Sequence, residues 1–432
     1  MPTADHLPNV TWVGSGEYTS GMVGGGSESS PSDKKVGVVG LVYFDLRRRG
    51  LCGPELSMVG TSGDKHAQIK AHFKKNIEAR YKDMDTTYTG YPAPGVKDAD
   101  AYKTAIDALS PGDAITIFTP DSTHFAIAEY ALRRKIHVLV TKPAVQKLTD
   151  HLRLAEIAQE EGVLCYVEHH KRFDPAYSDA REKARMELGS PNYFYSYMSQ
   201  PKQQLATFAS WAGKDSDISY YLNSHHVDIF DWYVRGRARP VKVTASASEG
   251  IAESLGCQAG TEDTITLLVE CELLDESTGS PLSGQRATAI FTASWTAPSG
   301  AGVHSEQGFH YVGTKGEAKV NQSRRGYTLV KEDGQGQGAS ADINPFYMLY
   351  SADLDGHFAG QNGYGYRSLE LFTRACTAIN KGERTAESYE GVLPTIKDTV
   401  YTTAILNAGR VSLDEQRSVR IITSKDGVPS LS

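Results

Sequence analysis

The chain has 432 residues, 40% of them hydrophobic and 22% charged, with a formal net charge of −7. That length predicts two domains, the composition is that of a soluble globular protein, and the charge leaves no basic footprint for nucleic acid. No apolar run, VGVVGLVYF included, approaches the ~20 residues of a membrane-crossing helix. The start shows no basic stretch leading into an apolar one, so no secretory signal is expected. The cysteines (Cys52, Cys165, Cys257, Cys271, Cys376) are scattered, without a CxxC pair or a His/Cys cluster. Reduced thiols in a cytoplasmic protein and no metal site are the expectation.

Asn9–Val13 predicts a first strand, leading into GSGEYTSGMVGGG. Gly14, Gly16 and Gly21 form a stretched relative of GxGxxG, whose glycines let backbone approach a pyrophosphate. The alternative is a flexible Gly/Ser tail. Lys35–Gly40 is a rival first strand, but Leu41 to Phe44 after it carry no glycine. Val36–Arg49 is therefore predicted as the first helix, closed by Arg47, Arg48 and Arg49 as a solvated end before Gly50. Segment 24–34 becomes a long loop over the cofactor or substrate. Leu56–Gly60 predicts the second strand, ending in Thr61 and Ser62 with Lys65 and His66 behind. A carboxylate there suits a ribose 2′-hydroxyl, whereas hydroxyls and cations suit a 2′-phosphate. NADP(H) is thus the favoured cofactor and NAD(H) the alternative, since Asp64 makes the local charge mixed.

Ala67–Phe73 and Ala99–Leu109 read as helices. Ala114–Phe118 is a buried strand ending at Thr119-Pro120. Phe125, Ala128, Ala131 and Leu132 follow at helical spacing behind a cap at Asp121 or Ser122. His137–Val140 is the next strand and runs into Lys142-Pro143. Strand, helix and strand joined this briefly imply a right-handed crossover in a parallel sheet, which binds ligands beyond the carboxyl ends of its strands. Leu148–Glu161 is helical, and Val163–Val167 is a strand followed by Glu168-His169-His170-Lys171-Arg172. Gly14, Thr61, Thr119, Lys142 and His169 therefore share one rim.

The pattern then changes. Asp217–Val234 is helical, with Tyr221, His225, Asp228 and Trp232 on one face. Strands follow at Val241–Ser248, Thr264–Leu274, Arg286–Thr296 and Phe309–Val312. After a turn at Gly313 to Gly316 they continue at Val320 and Tyr327–Lys331. Asp333–Ala341 reads as a Gly/Gln loop, and Tyr366–Lys381 and Tyr389–Ala408 as closing helices. Period-two alternation predicts an antiparallel sheet with one face solvated or covered by a partner. The fold class is α/β: an N-terminal Rossmann dinucleotide-binding domain over 1–172, and a C-terminal α+β domain over 173–432 with a large open antiparallel sheet, its last helices being candidates to pack back on the first domain. A homo-oligomer through that sheet is expected.

TPDSTHFAIAEYALRRKIHVLVTKP (119–143), KRFDPAY (171–177), the HxxD pattern of His225 to Asp228 and GTKGEAKV (313–320) together resemble the Gfo/Idh/MocA family of nicotinamide-dependent sugar oxidoreductases. GSGEYTSG (14–21) and VGLVYFDLRRRG (39–50) are similar to its fungal D-galacturonate reductase branch. Two departures stand out. Thr141 replaces the family's Glu before Lys-Pro, and Tyr221 replaces its Asp four residues before the motif His.

The resemblance implies Lys142 and His225 as the catalytic pair, without deciding which moves the proton. Hydride transfer needs a nicotinamide against a carbonyl carbon and a donor for the developing alkoxide, which an ammonium or an imidazole can supply. The bland alternatives are a surface lysine and a core histidine satisfied by Asp228. The cofactor is expected on Gly14, Ser15, Gly16, Tyr18 and Thr19, on Thr61, Ser62 and Lys65, and on Thr119, Pro120, His124, Lys142 and Pro143. The substrate is expected on Lys142, His169, Tyr221, Asn223, His225 and Asp228. Lys171 and Arg172 would meet a uronate carboxylate, and Tyr18, Asn223 and Tyr311 the sugar hydroxyls. The activity expected is reduction of the C1 aldehyde of D-galacturonate, a small sugar acid, to L-galactonate. The alternatives are a dehydrogenase of a neutral sugar or inositol, and a non-catalytic NADP-binding regulator.

Overall fold

The computed structural model describes residues 7–23, 28–29, 34–299, 303–332 and 338–432. It divides into two compact units. The first comprises Met1–Ala144, Asp150–His170 and Pro345–Asp398; the second comprises Val145–Thr149, Lys171–Asn344 and Thr399–Ser432. The stretch holding helix Tyr364–Asn380 thus belongs to the first unit although it lies between two segments of the second in sequence.

The first unit is built on six short strands: β1 Val10–Val13, β2 Leu56–Val59, β3 Thr89–Tyr91, β4 Ala114–Ile117, β5 His137–Thr141 and β6 Cys165–Glu168. All pair in parallel, in the order β3-β2-β1-β4-β5-β6. The order reverses between β1 and β4, the place where such sheets bind ligands. β1, β4 and β6 are buried at every residue, as expected for strands covered on both faces. β3 escapes a sequence reading because Thr-Gly-Tyr is no apolar run. It holds as an edge strand because Gly90 lets the His66 ring in: a Cβ there would lie 2.6 Å from the ring's Cγ.

Between β1 and β2 the chain makes a detour. A one-turn helix, Glu17–Ser20, ends at Gly21 with φ 75°. Met22–Val23 then pairs with Glu28–Ser29, a strand pair inside the expected loop 24–34, whose residues 24–27 and 30–33 lie outside the described residues. Helix Val39–Arg48 follows, three residues later than expected, because Gly37 at φ 84° breaks the helix before it. The Val38 N–H donates to the Tyr18 carbonyl at 2.8 Å, so the long helix continues from the short one with an excursion between them. The arginine run lies at the partly solvated helix end expected, with Arg49 exposed, and its guanidinium groups are also paired. Arg47 donates to the carbonyls of Asp85 and Thr87, Arg48 pairs with Asp45, and Arg49 meets Tyr366 and Glu370. Asp45 is fully buried and also accepts from Tyr366 Oη at 2.6 Å, which clasps helix Tyr364–Asn380 to the unit. The core beneath is aromatic: Trp12 lies 5.3 Å from Phe44 and 6.1 Å from Tyr88, with Phe73 5.1 Å from Phe44.

The second unit holds eight strands in one sheet: β7 Pro191–Pro201, β8 Ala238–Glu249, β9 Glu262–Leu274, β10 Pro281–Ala297, β11 Glu306–Gly313, β12 Gly316–Asn321, β15 Val419–Thr423 and β16 Pro429–Leu431. A separate hairpin pairs β13 Tyr327–Glu332 with β14 Gly338–Ile343. The large sheet runs β12-β11-β7-β10-β9-β8-β15-β16 and is antiparallel except where β7 lies parallel to β10. β14 occupies part of the expected loop 333–341, of which 333–337 lie outside the described residues. Helix Pro175–Met186, β7, β15 and β16 were not foreseen. The last helix begins at Val400 rather than Tyr389, because Gly391 at φ 75° and the loop around Pro394 intervene. One sheet face is closed, with Ile265, Leu267, Val269, Phe291 and Trp295 fully buried. Helix Val400–Glu415 presses on it so closely that a Cβ on Gly409 would lie 2.6 Å from Leu267. Among the described residues no helix is long and apolar enough to cross a membrane.

Candidate active site

Gly14 follows β1 at φ 112°, and a Cβ there would lie 2.1 Å from the Phe118 carbonyl oxygen. The ends of β1 and β4 therefore touch through bare backbone, which only glycine allows. A Cβ on Gly16 would meet nothing within 4 Å, so the fold leaves open space there. Tyr18 stacks on Phe118 at 4.9 Å, and burial, with Glu168 adding to it, raises its phenol well above the usual value. Thr19 is buried, whereas Ser15 remains partly exposed.

At the end of β2, Thr61 is exposed and Ser62 and Lys65 partly so. Gly63 is wedged against Ala93, whose carbonyl oxygen would lie 2.0 Å from a Cβ. His66 does not join a phosphate site. It is buried, its Nε2 lies 2.9 Å from the Tyr91 carbonyl and its Nδ1 3.3 Å from Tyr88 Oη, and burial lowers its pKa. Asp64 accepts the Gly95 N–H at 2.7 Å.

Thr119 accepts from the Thr123 hydroxyl at 2.7 Å, and Pro120 is exposed. His124, expected on the cofactor, is fully buried and works as a clasp instead. Its Nε2 lies 2.9 Å from the Thr119 carbonyl, and its Nδ1 lies 3.0 Å from that of Pro143 and 3.2 Å from that of Ala144. It thereby ties the turn after β4 to the turn after β5. That second turn carries Lys142, half-buried, in a cis bond to Pro143. Burial pulls the Lys142 ammonium down to about 8; Asp121 and Glu168 hold it up, and Lys34 pushes it down.

Glu168 closes β6 and is the register partner of Thr141. It is 1% exposed, and its Oε2 accepts from His170 Nδ1 at 2.9 Å. His170 stacks on Tyr364 at 5.7 Å and lies 5.5 Å from Tyr347. His169 is buried. Sequence reasoning passed over Glu168, Tyr347 and Tyr364. Glu168 had a signal, a carboxylate ending an apolar strand on the ligand-binding rim. The tyrosines had none, because no local pattern ties residues 345–398 to this sheet.

The second unit holds the remaining candidates. Arg172 is committed to Asp228 through two hydrogen bonds, 2.8 and 2.5 Å, and its guanidinium lies 5.7 Å from the Trp232 ring centroid. Lys171 donates to Gln307 Oε1 at 2.5 Å and to Gln322 Oε1. Neither presents the bare cation expected for a carboxylate, and Asp228 accepts both hydrogen bonds from Arg172. Tyr221 packs its ring 5.2 Å from both Phe208 and Trp211. Asn223 donates its amide to Ser219 Oγ at 3.1 Å and the Ile265 carbonyl at 3.3 Å. Tyr311 is a core residue, 1% exposed and 5.9 Å from Tyr233, not a sugar contact. His225 is buried in the first turn of helix Ser224–Val234. Its neighbour His226 bonds Tyr177 Oη at 3.0 Å, and burial lowers its pKa well below the usual value. Asp353, Asp355 and His357 bring ligand atoms within 4.8 Å of one another on the surface, but Asp353 accepts backbone N–H groups of its own loop and His357 pairs with Asp83.

Residues 53–169 match the Gfo/Idh/MocA model, described as an oxidoreductase family with an NAD-binding Rossmann fold. The scyllo-inositol 2-dehydrogenase (NAD(+)) of Bacillus subtilis (strain 168) is 28% identical over 255 residues, spanning 57% of this chain and 66% of that protein. The UDP-N-acetylglucosamine 3-dehydrogenase of Acidithiobacillus ferrooxidans is 32% identical over 126 residues, 29% of this chain and 37% of that one. The chain thus aligns with under two thirds of the length of these curated relatives. Among solved structures, scyllo-inositol dehydrogenase from Lactobacillus casei with bound NAD(H) and scyllo-inositol superposes with a TM-score of 0.61 at 14% identity, covering 96% of this chain and 99% of that one. Myo-inositol 2-dehydrogenase from Lactobacillus plantarum gives a TM-score of 0.60 at 16% identity, again over 96% and 99%. Residues 53–169 are thus similar to the Gfo/Idh/MocA oxidoreductase family model, and the fold is shared with the inositol dehydrogenase structures over nearly the whole chain.

Proposed function

We propose that this protein is a nicotinamide-dependent oxidoreductase interconverting a CH–OH group and a carbonyl on a sugar-type polyol. The observation that carries this reading is Lys142: an amine at the carboxyl end of β5, lowered to about 8, with its turn clasped by His124. The residues present suit a dinucleotide. Gly14 lets the turn after β1 close on β4, the open space at Gly16 beside it would receive a diphosphate, and Thr61, Ser62 and Lys65 the adenosine ribose. Thr119, Pro120 and Pro143 would flank the nicotinamide side, and the ring, when bound, gives or takes the hydride.

Lys142 hydrogen-bonds the reacting oxygen. In the reducing direction its Nζ gives a proton to the developing alkoxide; in the oxidising direction the neutral amine takes the hydroxyl proton. A pKa near the working pH populates both forms, which general acid–base catalysis needs. His225 is proposed as a second proton donor, a role its variants test independently.

A neutral sugar or inositol is the favoured substrate. The named relatives include an inositol dehydrogenase, and the two cations put forward for a carboxylate are already paired. The second reading, D-galacturonate reduced to L-galactonate, draws on the similarity of residues 14–21 and 39–50 to the fungal branch. Hydroxyls and Lys65 at the end of β2 keep NADP(H) beside NAD(H) as the cofactor proposed. Five buried thiols suit a reducing compartment such as the cytoplasm. The test is nicotinamide absorbance with NADH and NADPH against a panel of inositols, neutral sugars and uronic acids. Turnover confined to neutral polyols supports the first reading. Turnover confined to uronates supports the second. No turnover with any substrate, while cofactor binds, points to the non-catalytic regulator.

A further inference from the structure

We propose that Glu168 is a specificity residue whose Oε1 accepts a hydrogen bond from a ligand hydroxyl beside the reacting oxygen, an inference that rests on the polyol reading above. Glu168 ends β6 on the ligand-binding rim, one strand from Lys142, because Thr141 and Glu168 are register partners. Adjacent strands lie ~4.8 Å apart, so a ligand group beside Lys142 is within reach of this carboxylate. Its two oxygens are unequal. Oε2 is satisfied by His170 Nδ1 at 2.9 Å, and the stack of His170 on Tyr364 holds that bond in place. Oε1 is buried and has no hydrogen-bond partner among the described residues.

A buried carboxylate oxygen without a donor is costly, and such atoms in native proteins call for an explanation. Tyr18 and Lys142 both feel the charge of Glu168, which places it among the rim groups rather than in the apolar core. What Oε1 lacks is a neutral donor, and a hydroxyl is the donor that a polyol carries next to its reacting carbon. A ribose hydroxyl of the cofactor offers the same chemistry.

The experiment compares wild type with Glu168→Met, which removes both acceptors at similar volume. NADH binding is read by fluorescence titration. Binding of scyllo-inositol and of its monodeoxy analogue is read by calorimetry on the NADH-loaded protein. If the donor is a substrate hydroxyl, wild type prefers scyllo-inositol by about 10- to 100-fold. Glu168→Met then loses that preference while NADH affinity holds. If the donor is the ribose, NADH affinity falls by a similar factor and the preference persists. A folded Glu168→Met with both affinities and the preference unchanged overturns the proposal. If the variant does not fold, wild type alone decides: it must discriminate against the monodeoxy polyol or against NADH lacking a nicotinamide-ribose hydroxyl, and indifference to both overturns the proposal. Wild type that binds NADH but no polyol defeats the proposed function instead, and leaves the ribose arm to be read.

Discussion

Lys142 owes its chemistry to the end of a strand. β5 delivers it to the rim, His124 fixes the turn, and partial burial removes the water that would keep an ammonium near its ordinary value. Its pKa of about 8 sets the direction of a pH profile. On the role proposed for Lys142 the acid form serves reduction, so reductive turnover is predicted to fall as pH rises through about 8, and oxidative turnover to rise over the same range. Steady-state rates in both directions from pH 6 to 10 check this, and profiles flat through that range would reject it. The glycines separate fold from ligand. Gly14→Ala forces a Cβ into the Phe118 carbonyl at an unfavourable φ, so it lowers the melting temperature. Gly16→Ala has room within the protein and leaves melting nearly unchanged, yet weakens dinucleotide binding if the diphosphate lies there. Calorimetric melting beside NADH titration distinguishes the two.

Elements with a strong period were legible. The strands at 10–13, 56–59, 114–117 and 137–141 announce themselves as short, mostly apolar runs, and the crossover between β4 and β5 follows from its short connections. What failed did so for physical reasons. β3 holds by pairing and by the His66 ring at Gly90, neither visible locally. β7 alternates Tyr193, Tyr195 and Tyr197 with Phe194, Ser196 and Met198, and its place is set by parallel pairing with β10, a contact far apart in sequence. The rim was readable because a parallel sheet has one ligand-binding edge, but the pairing of its charges was not. Arg172 looked available in KRFDPAY and is consumed by Asp228. That pair has a consequence at the scale of its helix. Both side chains are buried, so Arg172→Ala strands the Asp228 charge and costs about 3–5 kcal/mol in urea unfolding. A loss under 1 kcal/mol would show the pair to be dispensable.

For the whole molecule, buried histidines govern the acid limit. Burial lowers His66, holds His151 to about 4, and lowers His226 well below its ordinary value. Each has a folded pKa below the unfolded one, so below about pH 6.5 the unfolded chain binds protons that the folded chain refuses. Stability is therefore lost as pH falls from about 6.5 toward 4. Burial raises Asp217 to about 6 and Asp231 in the same direction, which works against that loss over the lower part of the window. Three histidines outweigh two carboxylates at the start of the fall, so melting at pH 5.5 lies below melting at pH 7.5. An equal or higher melting temperature at pH 5.5 would contradict this. The exposed face of the large sheet, with Leu268 41% and Tyr195 36% exposed on either side of Ile290 in one cross-strand row, is proposed as the surface for a second copy. Light scattering that finds a monomer at micromolar concentration would remove that proposal.

One measurement reaches the centre of the account: turnover of Lys142→Ala on a polyol that wild type uses, alongside its affinity for NADH. The amine is assigned to proton transfer, so kcat should drop by about 10²- to 10⁴-fold while NADH binding stays within a few-fold of wild type. A variant that turns over at nearly the wild-type rate would show that the reacting oxygen finds its proton elsewhere.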